Sequence, residues 1–172
     1  MTTDRLGFSH WRQDDLPLAT NLWANPRVSS LIGGPFTPEE VSARLKREIE
    51  CMVANQVQYW PIFLLWNDQF AGCAGLRPYK LDERVFEMGV HLRTENWGQG
   101  LAQEAGRAVI DFAFETLGVK GLFAGHHPAN DASRRLIEKL GFHFTHEEFY
   151  APTGLNHPSY LLANPGISRV PD

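Results

Sequence analysis

Leu92-Arg93-Thr94-Glu95-Asn96-Trp97-Gly98-Gln99-Gly100-Leu101-Ala102 is the stretch that decides how this chain is read. Two glycines, one residue apart, follow a strand-like run from Val85 to Leu92 and open a helix-like run from Leu101 to Leu117. Strand, glycine turn and helix start together make an anion cradle. Glycine lets the backbone come close to a ligand. The first-turn N–H groups of a helix have no partner within it, and the positive end of its dipole points to the same spot. The stretch therefore reads as a pyrophosphate site, and the question is which pyrophosphate. A nucleotidase P-loop requires Gly-x4-Gly-Lys-Ser/Thr, and neither Lys-Ser nor Lys-Thr follows these glycines. A dinucleotide-binding turn requires a third glycine where this chain has Gln103. It also requires an acidic residue closing a second strand at a set distance, which is missing.

A second segment narrows the choice. His127-Pro128-Ala129-Asn130-Asp131-Ala132-Ser133-Arg134-Arg135-Leu136-Ile137-Glu138-Lys139-Leu140-Gly141-Phe142 follows the cradle at a helix-and-strand's distance. It resembles the GNAT acetyltransferase motif Pro-x-Asn-x-x-Ser-x-x-Leu-x-Glu-Lys-x-Gly-Phe. The acyl-CoA loop of that family needs only Gly-x-Gly-x-Ala/Gly at a strand-to-helix junction, and Gly98-Gln99-Gly100-Leu101-Ala102 supplies it. The form Asn-Trp-Gly-x-Gly-x-Ala resembles the branch of the ribosomal-protein N-terminal acetyltransferases (RimJ/RimL-like). The resemblance runs from about Arg5 to Asn164. It is strong from Phe86 to Phe142 and weak before Val57.

Composition sets the outer bounds. The 172 residues predict a single domain. An apolar share of 43% with 12% aromatics is ordinary for a globular chain. No apolar run approaches the roughly 18 residues that span a bilayer. Met1-Thr2-Thr3-Asp4-Arg5 has no apolar signal core, so a cytoplasmic protein is expected. Cys51 and Cys73 give no disulfide framework and read as small buried fillers. Net charge is −4 and the basic blocks are short, which disfavours nucleic acid. A mildly acidic surface suits a cationic substrate.

The elements follow from periodicity and punctuation. Arg5 to Trp11 reads as an opening strand. Asp14 and Asp15 start a helix through Leu18, Leu22 and Trp23 that Pro26 limits, and Ser29 to Pro38 reads as a loop. Thr37-Pro38-Glu39-Glu40 is a capping box with proline at the first helical position. Val41, Leu45, Ile49 and Met52 follow at helical spacing. Val57 to Trp66 and Gln69 to Leu76 read as a hairpin joined at Asn67-Asp68. Leu101, Ala105, Val109 and Phe112 give the next helix an apolar face that Gly118 ends. Val119 to Ala124 is a short strand and Asn130 to Leu140 a helix closed by Gly141. Phe142 to Tyr150 and His157 to Ala163 form a last hairpin, and 165–172 reads as a frayed tail. The order β-α-α-β-β-β-α-β-α-β-β predicts an α/β sandwich with a mixed central sheet and flanking helices. The resemblance adds that the strands around the main helix splay and take the pantetheine arm between them.

The resemblance also implies roles for side chains and backbone. N–H groups of Gly98, Gln99, Gly100, Leu101 and Ala102 would hold the pyrophosphate of acetyl-CoA, the co-substrate. The edge of Val90, His91 and Leu92 would pair with the pantetheine amides as an added strand does. Arg93 and Gln99 are candidates for outer phosphate contacts, and Arg93 reads equally as a solvated surface residue. Trp97 reads as packing under the loop. Asn130 is an N-cap on its residue type and position, and the resemblance adds a contact to the pantetheine arm. Ser133 is assigned to the cofactor near the thioester sulfur, where it would protonate the departing thiolate. Its plain reading is a helix-surface serine. Many members carry a tyrosine as general acid after the leucine of this motif, but here Leu136 is followed by Ile137. Tyr150 reads first as a core tyrosine, although it would be able to reach back to the site.

Glu87 is the candidate base. It sits in Phe86-Glu87-Met88-Gly89, a strand where a carboxylate is out of place if buried, and Gly89 predicts a bulge that re-aims it. An exposed strand charge is the plain alternative. His91 shares its face if no bulge intervenes, and reads as a structural histidine. No metal site is expected: His146-Glu147-Glu148-Phe149-Tyr150 lacks the second histidine of H-E-x-x-H, and the adjacent His126 and His127 point to opposite faces. One of those two would line the acceptor mouth. No Gly-x-Ser-x-Gly elbow is present. The resemblance thus implies acetyl transfer from acetyl-CoA to a primary amine by direct attack. The acceptor would be a protein N-terminus or a small amine such as a polyamine, an aminoglycoside or an amino acid. A sensor that binds acyl-CoA without turnover is the alternative of a different class. The resemblance also makes a homodimer possible.

Overall fold

Thr37 opens the longest helix as its residues dictate: its hydroxyl accepts from the Glu40 N–H and the Glu40 carboxylate accepts from the Thr37 N–H. The computed structural model describes residues 1–166, so the last six residues of the expected tail lie outside the described residues. The elements are β1 (Leu6–Phe8), α1 (Leu16–Trp23), α2 (Pro26–Ser29), α3 (Pro38–Asn55), β2 (Tyr59–Leu64), β3 (Phe70–Lys80), β4 (Val85–Leu92), α4 (Leu101–Asp111), β5 (Gly121–Gly125), α5 (Asp131–Lys139), β6 (His143–Tyr150) and β7 (Leu155–Ala163). The single turn of α2 falls where Pro26 was expected only to end a helix. Asn25 caps it by accepting from the Arg27 N–H. Helix α4 stops at Asp111, and Phe112–Thr116 continue as a widened π turn before Gly118 at φ 60°.

The strands form one mixed sheet in the order β1-β2-β3-β4-β5-β7-β6. All neighbours are antiparallel except β4 and β5. That parallel pair holds only three rungs, Val85↔Gly121, Phe86↔Leu122 and Glu87↔Phe123. Beyond them β4 runs on to Leu92 beside β3, while β5 follows β7 to Gly125↔Ser159. The two central strands therefore part after Glu87, and the expected splay is present.

Helices cover both faces. On one face α4 and α5 bury Leu101, Ala105, Val109, Ile137 and Leu140 against Met88, Leu92 and Leu122. On the other, α1 and α3 bury Leu22, Trp23, Val41 and Leu45 against Tyr59, Phe70 and Cys73. At about 25 cal/mol per Å2 of apolar surface, such burial is the main stabilising term. Alternation along β4 sends Met88, Val90 and Leu92 under α4, and Glu87, Gly89 and His91 toward α1 and α3. Cys73 is buried as a filler, whereas Cys51 is half-buried.

Candidate functional site

The glycine turn stands open at the head of α4. Gly98 and Gly100 take φ of 73° and 78°, a region costly for residues with a Cβ, and Gly100 is the N-cap. Nothing lies within 4 Å of where a Gly98 Cβ would be. Gly98, Gln99 and Gly100 are exposed, Leu101 is buried and Ala102 half-buried. The helix has no side-chain cap, so its first N–H groups remain free for an anion. The cradle is braced from behind by Arg5, which the sequence reading missed. Its Nη1 donates to the Gln99 carbonyl at 2.9 Å and its Nε to Glu104 at 2.6 Å. Burial alone would raise the Glu104 carboxyl. Hydrogen bonds from Thr3, the Arg5 N–H and the Arg5 guanidinium nevertheless hold it below the usual range.

The free edge is narrower than the run Val90, His91, Leu92. The Arg93 N–H donates to the Ala71 carbonyl across β3. In an antiparallel ladder the residues in step with Arg93, which include His91, spend their amides on β3. Met88, Val90 and Leu92 turn theirs the other way, Met88 into the last rung with β5 and Val90 and Leu92 to the parted side. The Leu92 carbonyl already accepts from Trp97 Nε1 at 2.9 Å. Trp97 is 45% exposed and does not pack under the loop. Arg93 donates to the Phe70 carbonyl and to Glu95, and Gln99 donates to the Glu95 carbonyl, so all three support the turn.

His91 is placed by its side chain instead. Its Nδ1 accepts from the Trp23 indole at 3.3 Å, and its ring stands edge-on to Tyr59 at 5.5 Å. Burial first, then Arg44 and Arg77, push its pKa well below the ordinary value, and an acceptor Nδ1 requires the same neutral ring.

Glu87 occupies the last rung before β4 and β5 part. It is half-buried, and Tyr59 donates its hydroxyl to Oε1 at 3.2 Å. The expected bulge at Gly89 is absent. The ladder runs unbroken through Gly75↔Gly89, and the irregularity lies at Pro78/Lys80. Gly89 serves another need: a Cβ there would collide with the Tyr59 phenol. Tyr59 is held in turn by Glu48, which accepts its N–H at 2.8 Å, and by the Arg77 guanidinium 4.2 Å over its ring. Arg77 also donates to Glu48 through Nε at 3.1 Å and through Nη2. Tyr79 stacks on Phe123 at 4.2 Å and donates to Glu148 at 3.1 Å. Burial and Glu148 push the Tyr79 phenol up to about 12. Of these residues the sequence had singled out Glu87 and, as the site of a bulge, Gly89. One signal was visible, because Glu48 interrupts the helical stripe between Leu45 and Met52.

On the opposite lip, Asn130 caps α5 by accepting from the Ser133 N–H at 3.0 Å. Ser133 is half-buried in the first turn. Ile137 is 5% exposed and packed in the core, so its side chain takes no part in the site. Tyr150 is not a core residue: it is 38% exposed, with its ring 4.8 Å from His157. His126 is buried against Tyr160 and His127 faces His157, so the pair does point apart. Among the described residues no three His, Cys, Asp or Glu side chains gather as metal ligands, and no helix is long and apolar enough to cross a membrane.

Comparison with known proteins supplies the family. Residues 5–143 match the acetyltransferase (GNAT) domain. The uncharacterised N-acetyltransferase p20 of Bacillus licheniformis is 25% identical over 142 residues, 81% of this chain and 80% of that protein. The ribosomal-protein-S5-alanine acetyltransferase of Vibrio fischeri superposes with a TM-score of 0.80 at 18% identity, covering 98% of both chains. The spermidine N-acetyltransferase of Vibrio cholerae, solved with CoA and spermine, superposes at 0.77 and 18% identity over 94% of this chain and 97% of its own. At such identities the two structures attest the fold. Open glycine cradle, parted strands and family match agree: this chain belongs to the GNAT acetyltransferase family and is an acyl-CoA-dependent N-acetyltransferase.

Proposed function

We propose that this enzyme moves an acetyl group from acetyl-CoA to a primary amine by direct attack in a ternary complex, in the manner of the RimJ/RimL-like branch. The observation that carries the reading is the position of Glu87, on the last rung where β4 and β5 part, on the face opposite α4. The residues present fit the co-substrate. Gly98 to Ala102 offer unpaired N–H groups to a pyrophosphate, and no side chain fills the space over Gly98. Val90 offers a free edge amide to the pantetheine arm, and Asn130 and Ser133 stand at the head of α5, which follows β5. When bound, the thioester supplies the activated acetyl group.

The chain's own residues then have three tasks. Free N–H groups of the parted edge polarise the acetyl carbonyl. Glu87, oriented by Tyr59, accepts the amine proton directly or through one water. Ser133 gives a proton to the thiolate of departing CoA. A protein α-amine, with a pKa near ~7.8, needs far less help than a lysine near ~10.4, since the gap of about 2.6 units is worth roughly 3.5 kcal/mol. One carboxylate therefore suffices for an α-amine. Solved structures of the same fold act, by name, on a ribosomal-protein alanine and on spermidine, so both a protein N-terminus and a small amine belong in the assay.

The test is thiol release from acetyl-CoA against N-terminal peptides, lysine peptides, polyamines and amino acids. Glu87→Gln is expected to lower kcat by about 10²- to 10⁴-fold, the range for a lost general base. Ser133→Ala is expected to lower kcat with the KM for acetyl-CoA little changed. Undiminished kcat in Glu87→Gln would refute the assigned base. Binding of acetyl-CoA without turnover on any amine would favour a sensor.

A further inference from the structure

Arg77 and Glu87 stand directly opposite each other on the β3–β4 ladder and share one face of the sheet. Directly opposed residues hold their Cβ atoms roughly 4.5–5.5 Å apart, and opposite charges so placed attract. This pair is nevertheless not made. Among the described residues Glu87 joins no salt bridge. The Arg77 guanidinium turns instead to Glu48 on α3. It donates there through Nε at 3.1 Å and through Nη2, with its Cζ 4.2 Å over the Tyr59 ring.

The competition between the two carboxylates has a physical cause. Glu48 is 1% exposed, whereas Glu87 is half-buried and keeps contact with water. A buried carboxylate is tolerated only with a counterion and hydrogen bonds. Glu48 therefore holds the guanidinium more strongly than Glu87 does, and it also accepts the Tyr59 N–H at 2.8 Å. Burial alone would lower the Arg77 guanidinium, but Glu48 first, then Tyr59 and last Glu87 hold it above its ordinary value. The ionisable groups around Glu87 are Tyr59 from β2, Arg77 and Tyr79 from β3, and, beyond Tyr59, Glu48 and Arg44 from α3. Of the two cations only Arg77 shares a rung with Glu87. A guanidinium on Glu87 would favour its charged form and occupy the oxygen that must take the amine proton. Tyr59 joins the two acids, with its N–H on Glu48 and its hydroxyl on Glu87.

We propose that Glu48 is a positioning residue for the proton transfer: by holding Arg77 against α3 it keeps the Glu87 carboxylate free of a cation and available to the amine. This rests on Glu87 as the base of the amine acetylation above, and it names what keeps that base available. Glu48 itself touches no substrate. It acts through Arg77 and Tyr59.

The experiment has a kinetic arm and a structural arm. Acetyl transfer to the fastest acceptor of the panel is measured for wild type, Glu48→Gln, Glu48→Gln/Arg77→Met and Glu48→Gln/Arg77→Lys. In Glu48→Gln the released guanidinium is expected on Glu87, lowering kcat by about 10-fold or more with the KM for acetyl-CoA unchanged. The acid limb of its kcat/KM profile should move to lower pH. Glu48→Gln/Arg77→Met, with no cation on the rung, should recover most of the lost kcat. Glu48→Gln/Arg77→Lys, which puts a cation back opposite Glu87, should not. These two double variants differ only in that charge, so their comparison holds even if Glu48→Gln alone fails to fold. Equal kcat in both, or a further loss in the methionine variant, would reduce Glu48 to a structural ion pair and overturn the proposal. A crystal structure of Glu48→Gln, or of the lysine variant in its place, should show the side-chain cation of residue 77 within about 4 Å of the Glu87 carboxylate, the distance of an ion pair. A cation that stays over Tyr59 would overturn the proposal as well. Undiminished kcat in Glu87→Gln, or no turnover on any amine, would instead end the reading of Glu87 as base. The crystal structure would then still decide whether Glu48 holds Arg77 away from Glu87.

Discussion

Glu87 shows how much of a site one residue can announce. A carboxylate in the middle of an apolar strand was visible as an anomaly, and the structure places it at the parting of two strands with a tyrosine in hand. Gly89 was visible too, but its meaning was not. It does not bend the strand. It leaves room for Tyr59, a residue 30 positions earlier whose ring lies above it. Gly89→Ala should therefore force the phenol aside, costing about 1–3 kcal/mol as overpacking does and detaching Tyr59 from Glu87. A lower urea midpoint together with reduced kcat is the expected result. Wild-type stability in this variant would show that the ring moves freely. Arg44, Glu48 and Tyr59 escaped notice because their significance lies in contacts between α3, β2 and β4. Glu48 alone marked itself, as a charge within an apolar stripe.

At the scale of elements, α4 was legible from its glycine turn and its apolar period, and α3 from its capping box. What braces α4 was not. Arg5, on the approach to β1, spans 99 residues of sequence to reach Glu104 and also holds the Gln99 carbonyl of the cradle. Glu104→Ala should cost about 1.5–3 kcal/mol, the range for hydrogen bonds to a charged group. It should also raise the KM for acetyl-CoA by loosening the turn, with kcat at saturation retained. Denaturant unfolding and saturation kinetics check the two halves separately. An unchanged KM would mean that the cradle holds its shape without the brace. The edge strand β6 was foreseen as half of a hairpin, but not that all eight of its residues would be exposed. Its pattern alone does not tell which face a partner element covers.

The whole molecule has a pH signature, and its sign follows from His91. The folded protein keeps this ring neutral well below the ordinary pKa of 6.5, chiefly by burial. The unfolded chain takes up a proton below pH 6.5 that the folded chain refuses. Stability should therefore fall with decreasing pH from about 6.5, by up to ~1.4 kcal/mol per unit, until the folded ring itself titrates. Burial together with His127 and His126 pushes His157 the same way. Glu104 is displaced in the same direction, but in a lower window. Its depressed carboxyl keeps its contribution until the pH falls below about 4.5. Unfolding midpoints measured from pH 7.5 to 5.0 should decline in wild type and decline less in His91→Gln. Equal slopes would show that His91 is protonated in the folded state.

The order of elements apart from the short α2, the mixed sheet, the glycine cradle and the Asn130 cap were determined by the sequence itself. Each depends on local chemistry: hydrophobic period, capping side chains, and the freedom of glycine at positive φ. Tertiary structure alone decided that β4 and β5 hold three rungs and then part, that the His91 amide belongs to β3, and that Trp97 lies on the surface. It alone set Arg44 without a partner while Glu48 pairs with Arg77. The reason is physical. Which of two buried charges finds a counterion, and which strand edge remains free, depends on residues that meet only when distant segments pack, and no local period records such meetings.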